Sequence, residues 1–301
     1  MSCELGAKEL GKNLYYRNFN LNCLSNLAEQ ISSMVEANSR QGHNTIVSIC
    51  GGSCTGKSTQ VAVGLKHELG GPVQVLSQDH FMIASVANTL NPVYGWDHPD
   101  SFCLHESAGI MDQLRKNIPC SMPQYSFDTL ALEGIKEITP SRIALFEGLY
   151  AGYDFLRDHT DLVIYVEMPL YARIIRRLLR NMHERYTNID PKLILESYLR
   201  APLKAHHDFV VHQKCKADVV VEVRYNFQQG IEKFNLKPAL KNVNAEEVVF
   251  EFLIDDRTSF VISNDGAGYY FNILHDTLIY FCFPIEKITY EKFLFLDMLS
   301  L

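Results

Sequence analysis

The feature that most constrains the fold of this chain is the glycine-rich segment GGSCTGKS at residues 51–58. It follows the apolar run TIVSIC at 45–50, which predicts a buried strand, and it opens a helical stretch at 57–69. A G-x-x-x-x-G-K-S sequence between a strand and a helix is the pattern of a phosphate-binding loop. Its glycines let backbone N–H groups face phosphate oxygens, and the helix N-terminus adds a positive dipole. The sequence therefore predicts a nucleoside triphosphate site.

Two side chains of this loop have separate expected tasks. Lys57 is expected to reach the β- and γ-phosphates, and the Ser58 hydroxyl is expected to bind Mg²⁺. The alternative is a chance glycine-rich turn, which would not need a strand before it and a helix after it. The residues predicted to contact the nucleotide are Gly51, Gly52, Ser53, Cys54, Thr55, Gly56, Lys57, Ser58 and Thr59.

The middle of the chain alternates short apolar runs with helical stretches. The runs are apolar on both faces, as in strands that are buried on both sides of a parallel sheet. This alternation predicts the α/β class, with a parallel sheet of the P-loop NTPase type flanked by helices. After TIVSIC, the predicted strands are 73–77, 142–146, 162–166 and 217–223, and the predicted helices include 57–69 and 171–186.

Three segments are predicted along the chain. Residues 1–44 form a helical prefix, because apolar residues recur there at helical spacing, and residues 45–240 form the phosphate-loop domain. Residues 241–301 form an appended β-rich C-terminal segment, in which the turn signal at 264–266 predicts an antiparallel meander. Aromatic residues are frequent in this last segment, so it must pack against the rest of the chain or against another subunit.

Composition excludes several classes of protein. Hydrophobic residues make up 47% of the 301 residues and charged residues 21%, which excludes a disordered chain. The net charge of −7 does not suggest a general nucleic-acid binder. No apolar run approaches the roughly 20 residues of a membrane span. The eight cysteines form no C-x-x-C pair and the first residues lack a secretory pattern, so we expect a cytoplasmic protein without nucleic-acid or membrane partners.

Two carboxylates follow predicted strands of the sheet. Asp79 lies two residues beyond the strand at 73–77, and Glu147 directly follows the strand at 142–146. Functional groups of a parallel sheet gather at the carboxyl ends of its strands, so both side chains are expected beside the phosphate loop. One could accept a proton from an attacking hydroxyl, and the other could hold Mg²⁺. The alternative, that they cap helices, is about equally supported by spacing alone.

The predicted helix at 171–186 is rich in arginine, with Arg173, Arg176, Arg177, Arg180 and Arg185. In an acidic protein this is a local excess of positive charge. A helical lid could use these guanidinium groups to neutralise charge that develops on a transferred phosphoryl group. A solvated helix face is the plain alternative, and a contact with nucleic acid is a more remote one.

Seven segments, taken in order, resemble the uridine kinase group within the phosphoribulokinase/uridine kinase family of P-loop kinases. They are GGSCTGKST, LSQDHF, WDHPDSF, PQYSF, LFEG, RIIRRLLRNMHER and KCKADVVV. The similarity covers about residues 45–225 and is far more specific than a phosphate loop alone. The resemblance implies a kinase that uses ATP and Mg²⁺ and phosphorylates a small alcohol, in the first place the 5′-hydroxyl of uridine or cytidine.

The resemblance also implies catalytic roles for individual residues. Asp79 would be the general base, and Glu147 would be a carboxylate on the metal side. Lys57 and Arg180 would stabilise the oxygens of the transferred phosphoryl group. Arg185 would join Arg180 in gripping the triphosphate from the lid.

On the acceptor side, the resemblance implies contacts to a nucleoside. Asp97 and Arg177 would contact the ribose hydroxyls, and three aromatic residues would line the acceptor pocket, namely Trp96, Tyr125 and Phe127. The resemblance also suggests a homo-oligomer, while the appended C-terminal segment could either form or block the subunit interface.

Three positions depart from the family pattern. Leu130 stands where the family has a base-reading His, Thr187 where it has an Arg, and Met82 where it has a Tyr. A site built to hydrogen-bond a base discriminates strongly, so the loss of these groups should change or relax specificity. Two alternatives therefore remain open: a kinase for another alcohol, such as a sugar phosphate or a pantothenate-like acid, and a regulatory module that binds nucleotide without catalysis.

Overall fold

The structure is a computed structural model that describes residues 14–16, 20–168, 170–181, 197–198 and 200–223, and four strands between 248 and 284. The chain forms two compact units. The first comprises Met1–Met168 and Arg200–Arg224, and the second comprises Pro169–Leu199 and Tyr225–Leu301. The phosphate loop belongs to the first unit.

A parallel sheet of six strands is the centre of the first unit. The strands of this unit are β1 (Leu14–Tyr16), β2 (Thr45–Gly51), β3 (Val73–Ser77), β4 (Cys120–Ser126), β5 (Ala131–Ile138), β6 (Ile143–Gly148), β7 (Leu162–Glu167) and β8 (Val219–Glu222). The sheet has the order β1-β8-β7-β2-β6-β3, and every neighbouring pair in it is parallel. This confirms the predicted α/β class with its parallel sheet.

Helices and short helical turns connect these strands, because parallel neighbours cannot be joined by tight turns. The helices are α1 (Leu21–Arg40), α2 (Val63–Leu69), α3 (Ala84–Tyr94), α4 (Leu104–Arg115), α5 (Asp154–Arg157), α6 (Leu170–Arg180) in the second unit, and α7 (Pro202–Ala205). The short turns are the π-helical Lys57–Ala62 and His206–Val210 and the 3₁₀ Gln78–Phe81, Pro99–Ser101 and Val211–Lys216.

The core lies on both sides of the central strands. Every residue of β2 and β6 is buried, which explains why these strands are apolar throughout rather than alternating. On one side α1 begins at an Asn20 cap, whose side chain accepts the Cys23 amide at 3.1 Å, and buries a face that includes Leu27 and Ile31. A Cβ at Gly64 would lie 2.8 Å from Leu24 Cδ1, so glycine permits the close approach of α2 to α1.

The register of the sheet brings the functional segments to one edge. Cys50, at the end of β2, is opposite Gly148 of β6, and Gly51 is opposite Val166 of β7. Ser77, the last residue of β3, is opposite Glu147. The phosphate loop therefore leaves the sheet between two strands whose carboxyl ends flank it on either side.

An antiparallel hairpin of β4 and β5 projects from the first unit. Its inner strand β4 contacts the turn Gln78–Phe81. Its outer strand β5 is exposed from Ala131 to Glu137 and buried only at Ile138. The hairpin is thus attached through β4 to the turn that contains Asp79.

The second unit contains α6 and four strands. These are β9 (Val248–Leu253), β10 (Thr258–Asn264), β11 (Tyr269–His275) and β12 (Leu278–Pro284). They pair antiparallel in the order β12-β11-β10-β9, so each strand neighbours the next along the chain. The predicted turn signal at 264–266 begins at the last residue of β10.

The predicted elements of the phosphate-loop region agree with the structure. Each of the five predicted strands is present, with ends that differ by at most two residues. The helix predicted at 57–69 is a π-helical turn followed by α2, and the helix predicted at 171–186 is α6 as far as Arg180. The domain limits at 45–240 and 241–301 stay a prediction.

The predicted helical prefix differs from the structure in one element. Leu14–Tyr16 is a strand that pairs parallel with β8, and its first amide donates to the carbonyl of Asp218 at 3.0 Å. Three residues are too few to show a period in the sequence, which is why the helical spacing of the residues that follow dominated the prediction. Among the helices within the described residues, none is long and apolar enough to cross a membrane.

Candidate active site

The path of the phosphate loop depends on two glycines. Gly51 has a φ of 143°, and a Cβ there would lie 2.3 Å from the carbonyl oxygen of Val166 on β7. Gly56 has a φ of 93°. Glycine adopts such angles without a steric penalty, and its missing Cβ allows the strand to approach. Substitution at either position would displace the loop from the strand ends.

The loop leads into the π-helical turn Lys57–Ala62, in which the Val61 amide donates to the Gly56 carbonyl at 3.1 Å. Single π turns often mark functional sites. The Lys57 ammonium lies 3.4 Å from the Gly52 carbonyl oxygen, so the side chain folds back over the loop. A cation held above a loop that opens a helix is the arrangement that binds phosphate.

Ser58 and Glu147 form a direct contact between the loop and β6. The Ser58 hydroxyl donates to Glu147 Oε2 at 2.7 Å. Glu147 is within β6 and only 6% exposed. The contact exists because the register of the sheet ends β2 and β6 side by side, so the first turn after the loop faces the carboxylate.

Asp79 lies in the turn that follows β3. The turn is capped by Ser77, whose Oγ accepts the Asp79 amide at 3.4 Å. Asp79 therefore does not cap this turn, and Glu147 lies inside a strand rather than at a helix start. The capping alternative that sequence left open fits neither carboxylate.

The charges of Lys57, Asp79 and Glu147 influence one another. Burial raises the pKa of Glu147 above its usual range, the positive charge of Lys57 opposes that shift, and the negative charge of Asp79 adds to it. Hydrogen bonds from Ser58 and Ser77 stabilise the ionised form. Lys57, Asp79 and Glu147 are therefore close enough to influence one another at the carboxyl end of the sheet.

The donor set of this cluster fits Mg²⁺. A hydroxyl and a carboxylate are hard oxygen ligands, and Mg²⁺ in phosphate sites is held by one or two such groups together with phosphate oxygens and water. A buried carboxylate whose charge is incompletely balanced also gains from a cation. Ser58 and Glu147 would hold the ion beside the phosphate loop.

Three aromatic residues that sequence assigned to an acceptor pocket lie together. The rings of Trp96 and Phe127 are stacked with centroids 6.3 Å apart, and those of Tyr125 and Phe127 meet edge to face at 5.2 Å. The Tyr125 hydroxyl is buried and has no hydrogen-bond partner among the described residues. An aromatic cluster with one such hydroxyl suits a ring-shaped ligand that carries a polar group.

Asp97 directly follows Trp96 and is held through its backbone. Its amide donates to the Tyr94 carbonyl at 3.3 Å, and its carbonyl accepts the hydroxyl of Tyr150. The next residue, His98, has its ring 4.7 Å from that of Phe209. The segment that carries the predicted hydroxyl-binding carboxylate is thus fixed to two other parts of the first unit.

The lid residues belong to the second unit, so their place relative to the phosphate loop stays a prediction. Arg177 lies over the ring of Tyr198, with its Cζ 5.6 Å from the ring centroid. Arg180, the last residue of α6, has two guanidinium nitrogens, Nε and Nη2, without a hydrogen-bond partner among the described residues. Arg185 lies outside the described residues.

The positions that depart from the family pattern have different surroundings. Leu130 is half exposed just before β5 and has a left-handed φ of 53°, which few non-glycine residues adopt. Met82 forms an isolated bridge with Phe102, which attaches the Asp79 turn to the segment before α4. Thr187 lies outside the described residues.

Sequence reasoning missed three buried polar residues that support the site. Gln78 and Gln213 are at most 3% exposed, and Tyr150 is fully buried. The Gln213 amide donates to the Leu149 carbonyl at 2.7 Å and its oxygen accepts the Gly152 amide at 3.1 Å, which fixes the loop after β6. For Gln78 the sequence offers one indication of this role, since a polar residue stands there between the apolar run of β3 and Asp79.

Comparison with known proteins gives the family. Residues 46–228 match the profile of the phosphoribulokinase / uridine kinase family. The uridine kinase of Staphylococcus carnosus (strain TM300) is 31% identical over 183 residues, which are 59% of this chain and 86% of that protein. The uridine/cytidine kinase UKL1, chloroplastic, of Arabidopsis thaliana is 26% identical over 181 residues, 58% of this chain. The chain spans only 37% of the length of that relative.

Solved structures agree on the fold. YFH7 of Saccharomyces cerevisiae, a P-loop protein with a circular permutation, matches with a TM-score of 0.52 at 12% identity, over 67% of this chain and 99% of that one. At this identity the likeness concerns the fold alone. Because the family profile spans most of the chain, including the phosphate loop, both carboxylates and the aromatic cluster, this chain belongs to the phosphoribulokinase/uridine kinase family.

Proposed function

We propose that this protein is an ATP-dependent kinase that transfers the γ-phosphoryl group to the 5′-hydroxyl of a nucleoside of the uridine or cytidine type. The observation that carries the proposal is the 2.7 Å contact between Ser58 on the phosphate loop and the buried Glu147, with Lys57 and Asp79 as electrostatic neighbours. A hydroxyl, a carboxylate, a cation and a second carboxylate are the groups that phosphoryl transfer to an alcohol requires.

In this mechanism Asp79 is the general base. The acceptor hydroxyl gives its proton to the Asp79 carboxylate while its oxygen bonds to the γ-phosphorus. The bond from that phosphorus to the oxygen bridging the β- and γ-phosphates breaks, and ADP leaves with that oxygen. Atoms and charge balance without a covalent enzyme intermediate, because the acceptor replaces ADP in one in-line step.

The phosphates are held by the loop and by cations. The loop amides and Lys57 bind phosphate oxygens, and Lys57 stabilises the charge that develops on the transferred group. Ser58 and Glu147 would hold Mg²⁺, which would supply positive charge to the phosphate oxygens. Arg180 and Arg185 of the lid would add guanidinium contacts and, by closing, would exclude water that otherwise competes as an acceptor.

A nucleoside acceptor is favoured by the aromatic cluster and by Asp97. Trp96, Tyr125 and Phe127 would provide aromatic contacts for a base, and Asp97 with Arg177 would bind the ribose hydroxyls. Leu130 supplies no hydrogen bond to a base edge, so we expect relaxed discrimination between bases. A small-molecule acceptor, a cytoplasmic location and a homo-oligomeric state are parts of the same proposal.

A second candidate is a regulatory module that binds the nucleotide without transferring phosphate. The observation that favours it is Leu130, which is 49% exposed on the hairpin and offers an acceptor base no polar group. The presence of Asp79 beside Lys57 and Glu147 argues against it, because a module that only binds the nucleotide needs no base for an acceptor proton.

The test is ADP release from ATP and Mg²⁺ across nucleosides, sugar phosphates and other small alcohols. We expect stimulation by uridine or cytidine and a loss of roughly 10²–10⁴-fold in Asp79→Asn, because the acceptor proton loses its base. The matched control, Asp128→Asn, changes an exposed aspartate of the hairpin loop and should keep full activity.

Other outcomes separate the alternatives. If a different alcohol stimulates ADP release, the nucleoside acceptor is wrong, while phosphoryl transfer to an alcohol stands. Tight ATP binding without turnover on any acceptor would reject the kinase in favour of the regulatory module.

A further inference from the structure

The turn that carries Asp79 is anchored by its neighbour Gln78. Gln78 is fully buried, and its Oε1 accepts the backbone amide of Tyr150 at 2.8 Å. The anchor depends on Gly148, since a Cβ there would lie 2.1 Å from Gln78 Oε1. The backbone just after β6, which carries Glu147, is therefore built to receive the Gln78 side chain.

Tyr150 extends this anchor to a third segment. Its hydroxyl donates to the backbone carbonyl of Asp97, and the side chain is fully buried. Its ring packs against Phe102 at 5.9 Å and Tyr153 at 5.6 Å between centroids, so the phenol cannot turn away without displacing core side chains. Burial raises the pKa of Tyr150 well above its usual range, which keeps the phenol protonated as a donor.

These contacts form one continuous connection, the Gln78–Tyr150–Asp97 bridge. One end adjoins Asp79, the proposed base, and the other end is Asp97, the proposed ligand of the acceptor hydroxyls. Transfer requires the acceptor oxygen to lie at a fixed place relative to the base, and small displacements of either group are costly. A bridge of two hydrogen bonds and one rigid ring sets that distance, with the bond between Gln78 and Tyr150 buried and the bond between Tyr150 and Asp97 partly buried.

We propose that Tyr150 is a positioning residue that holds the acceptor-binding Asp97 segment in register with the turn of Asp79. The inference rests on the proposed function, because it assigns the acceptor to Asp97 and the base to Asp79. Tyr150 itself touches neither reactant. It acts through the carbonyl of Asp97 and through the side chain of Gln78.

The first test is Tyr150→Phe, which keeps the ring in the core and removes only the hydroxyl. We expect the KM for the acceptor to rise roughly tenfold, while the KM for ATP stays within about twofold, because the phosphate loop is untouched. The matched control is Tyr153→Phe, which removes a hydroxyl from the neighbouring ring outside the bridge and should leave both KM values unchanged. Equal acceptor KM values in Tyr150→Phe and wild type would overturn the proposal.

The second test does not depend on turnover. Hydrogen–deuterium exchange of the segment 95–101 should become faster in Tyr150→Phe, at unchanged overall fold, and should match wild type in Tyr153→Phe. If wild type phosphorylates no acceptor, the proposed function fails, and the exchange of this segment decides the bridge separately. Unchanged exchange in Tyr150→Phe would overturn the bridge whatever the activity.

A third variant tests the other hydrogen bond of the bridge. Gln78→Met keeps the length and volume of the side chain and removes the acceptor of the Tyr150 amide. We expect it to lower kcat and to be non-additive with Tyr150→Phe, because both changes cut the same bridge. Fully additive effects on acceptor kinetics would mean that the two residues act independently, which would overturn the bridge.

Discussion

Glu147 shows how one residue of the site is held at a cost to stability. It is only 6% exposed, and its neighbours include a second carboxylate at Asp79. Lys57, Ser58 and Ser77 stabilise the ionised form, but burial dominates and the pKa is raised. A charge kept in such a place is expected where a cation joins it during the reaction.

Glu147→Gln should therefore stabilise the apoprotein and inactivate it. The pKa of Glu147 in the folded state lies above the unfolded value of about 4.3. Wild type therefore loses stability as the pH rises from the unfolded pKa through the folded pKa, whereas the uncharged glutamine side chain of the variant causes no such loss. We expect a higher Tm for the variant at pH 7.5, a smaller difference near pH 4.5, and activity at least about a hundredfold lower. Melting curves between pH 4.5 and 8 test this.

The control for this prediction is Glu137→Gln on the exposed strand β5. Its carboxylate accepts only the Ser121 hydroxyl, at 2.7 Å on the surface, among the bonds seen in the described region. Its Tm should stay close to that of wild type. A Glu147→Gln protein that melts below wild type at pH 7.5 would refute the electrostatic argument.

At the scale of elements, two aspartates fix the amino ends of the central strands. Asp161 accepts the Ile46 amide at 2.8 Å and Arg115 at 2.6 Å. Asp218 accepts the Val163 amide at 2.7 Å and Arg157 at 2.6 Å. Each aspartate accepts the amide of the second residue of a strand, so the same kind of contact fixes the starts of β2 and β7 at the end of the sheet away from the site.

Asp161→Ala should destabilise the first unit strongly. The Asp161 side chain is only 8% exposed, and its loss leaves a buried amide and a partly buried arginine without their acceptor. We expect a loss of about 2–3 kcal/mol, or roughly 5–10 °C in Tm. Asp158→Ala, at an exposed aspartate three residues earlier, should change stability by less than about 0.5 kcal/mol. Equal denaturation midpoints for the two variants would contradict this assignment.

How far an element can be predicted depends on how it is buried. Four strands of the sheet, β2, β6, β7 and β8, are buried along nearly their whole length and are apolar on both faces, a pattern that local sequence shows directly. The hairpin of β4 and β5 was not predicted, because β5 is exposed over nearly its whole length and has no apolar face to reveal it. Exposed strands are specified by their partners, which lie elsewhere in the chain.

The residues of the candidate site likewise differ in whether local sequence predicts them. The phosphate loop has a local pattern, and Asp79 and Glu147 follow from their places at strand ends. The aromatic cluster came from family resemblance and is brought together in the structure. Gln78 and Tyr150 could not be predicted, since their roles depend on hydrogen bonds between segments that only tertiary packing brings into contact.

At the scale of the whole molecule, β1 ties the amino-terminal part of the described chain to the far edge of the sheet. The Tyr15 hydroxyl donates to Glu222 Oε2 at 3.0 Å and to Glu167 Oε2 at 3.1 Å. Lys214 contacts both oxygens of Glu167 at 2.7 Å. Burial and the two carboxylates raise the pKa of Tyr15, so the phenol is held in its protonated, donating form.

Tyr15→Phe should weaken this tie in a pH-dependent manner. Because the folded-state pKa is raised, the contribution of Tyr15 is complete below pH 10 and declines as the pH rises above it. We expect the variant to be about 1 kcal/mol less stable at pH 7.5, and the difference to shrink by pH 10.5. Urea denaturation of both proteins across this range measures it. If the difference in free energy of unfolding between wild type and Tyr15→Phe grew with pH, the predicted direction of the pH dependence would be wrong.

The pairing of β1 with β8 has a consequence for synthesis on the ribosome. Tyr15 is opposite Val220, so about 200 residues must be translated before the strand finds its partner. At roughly 5–20 residues per second, this amounts to a delay on the order of 10–40 s. Within that interval, once β7 has been made, the phosphate loop can already form on β2, β6 and β7, while the edge of β7 that β8 will cover stays open. The last strand to join the sheet is therefore the first to be made.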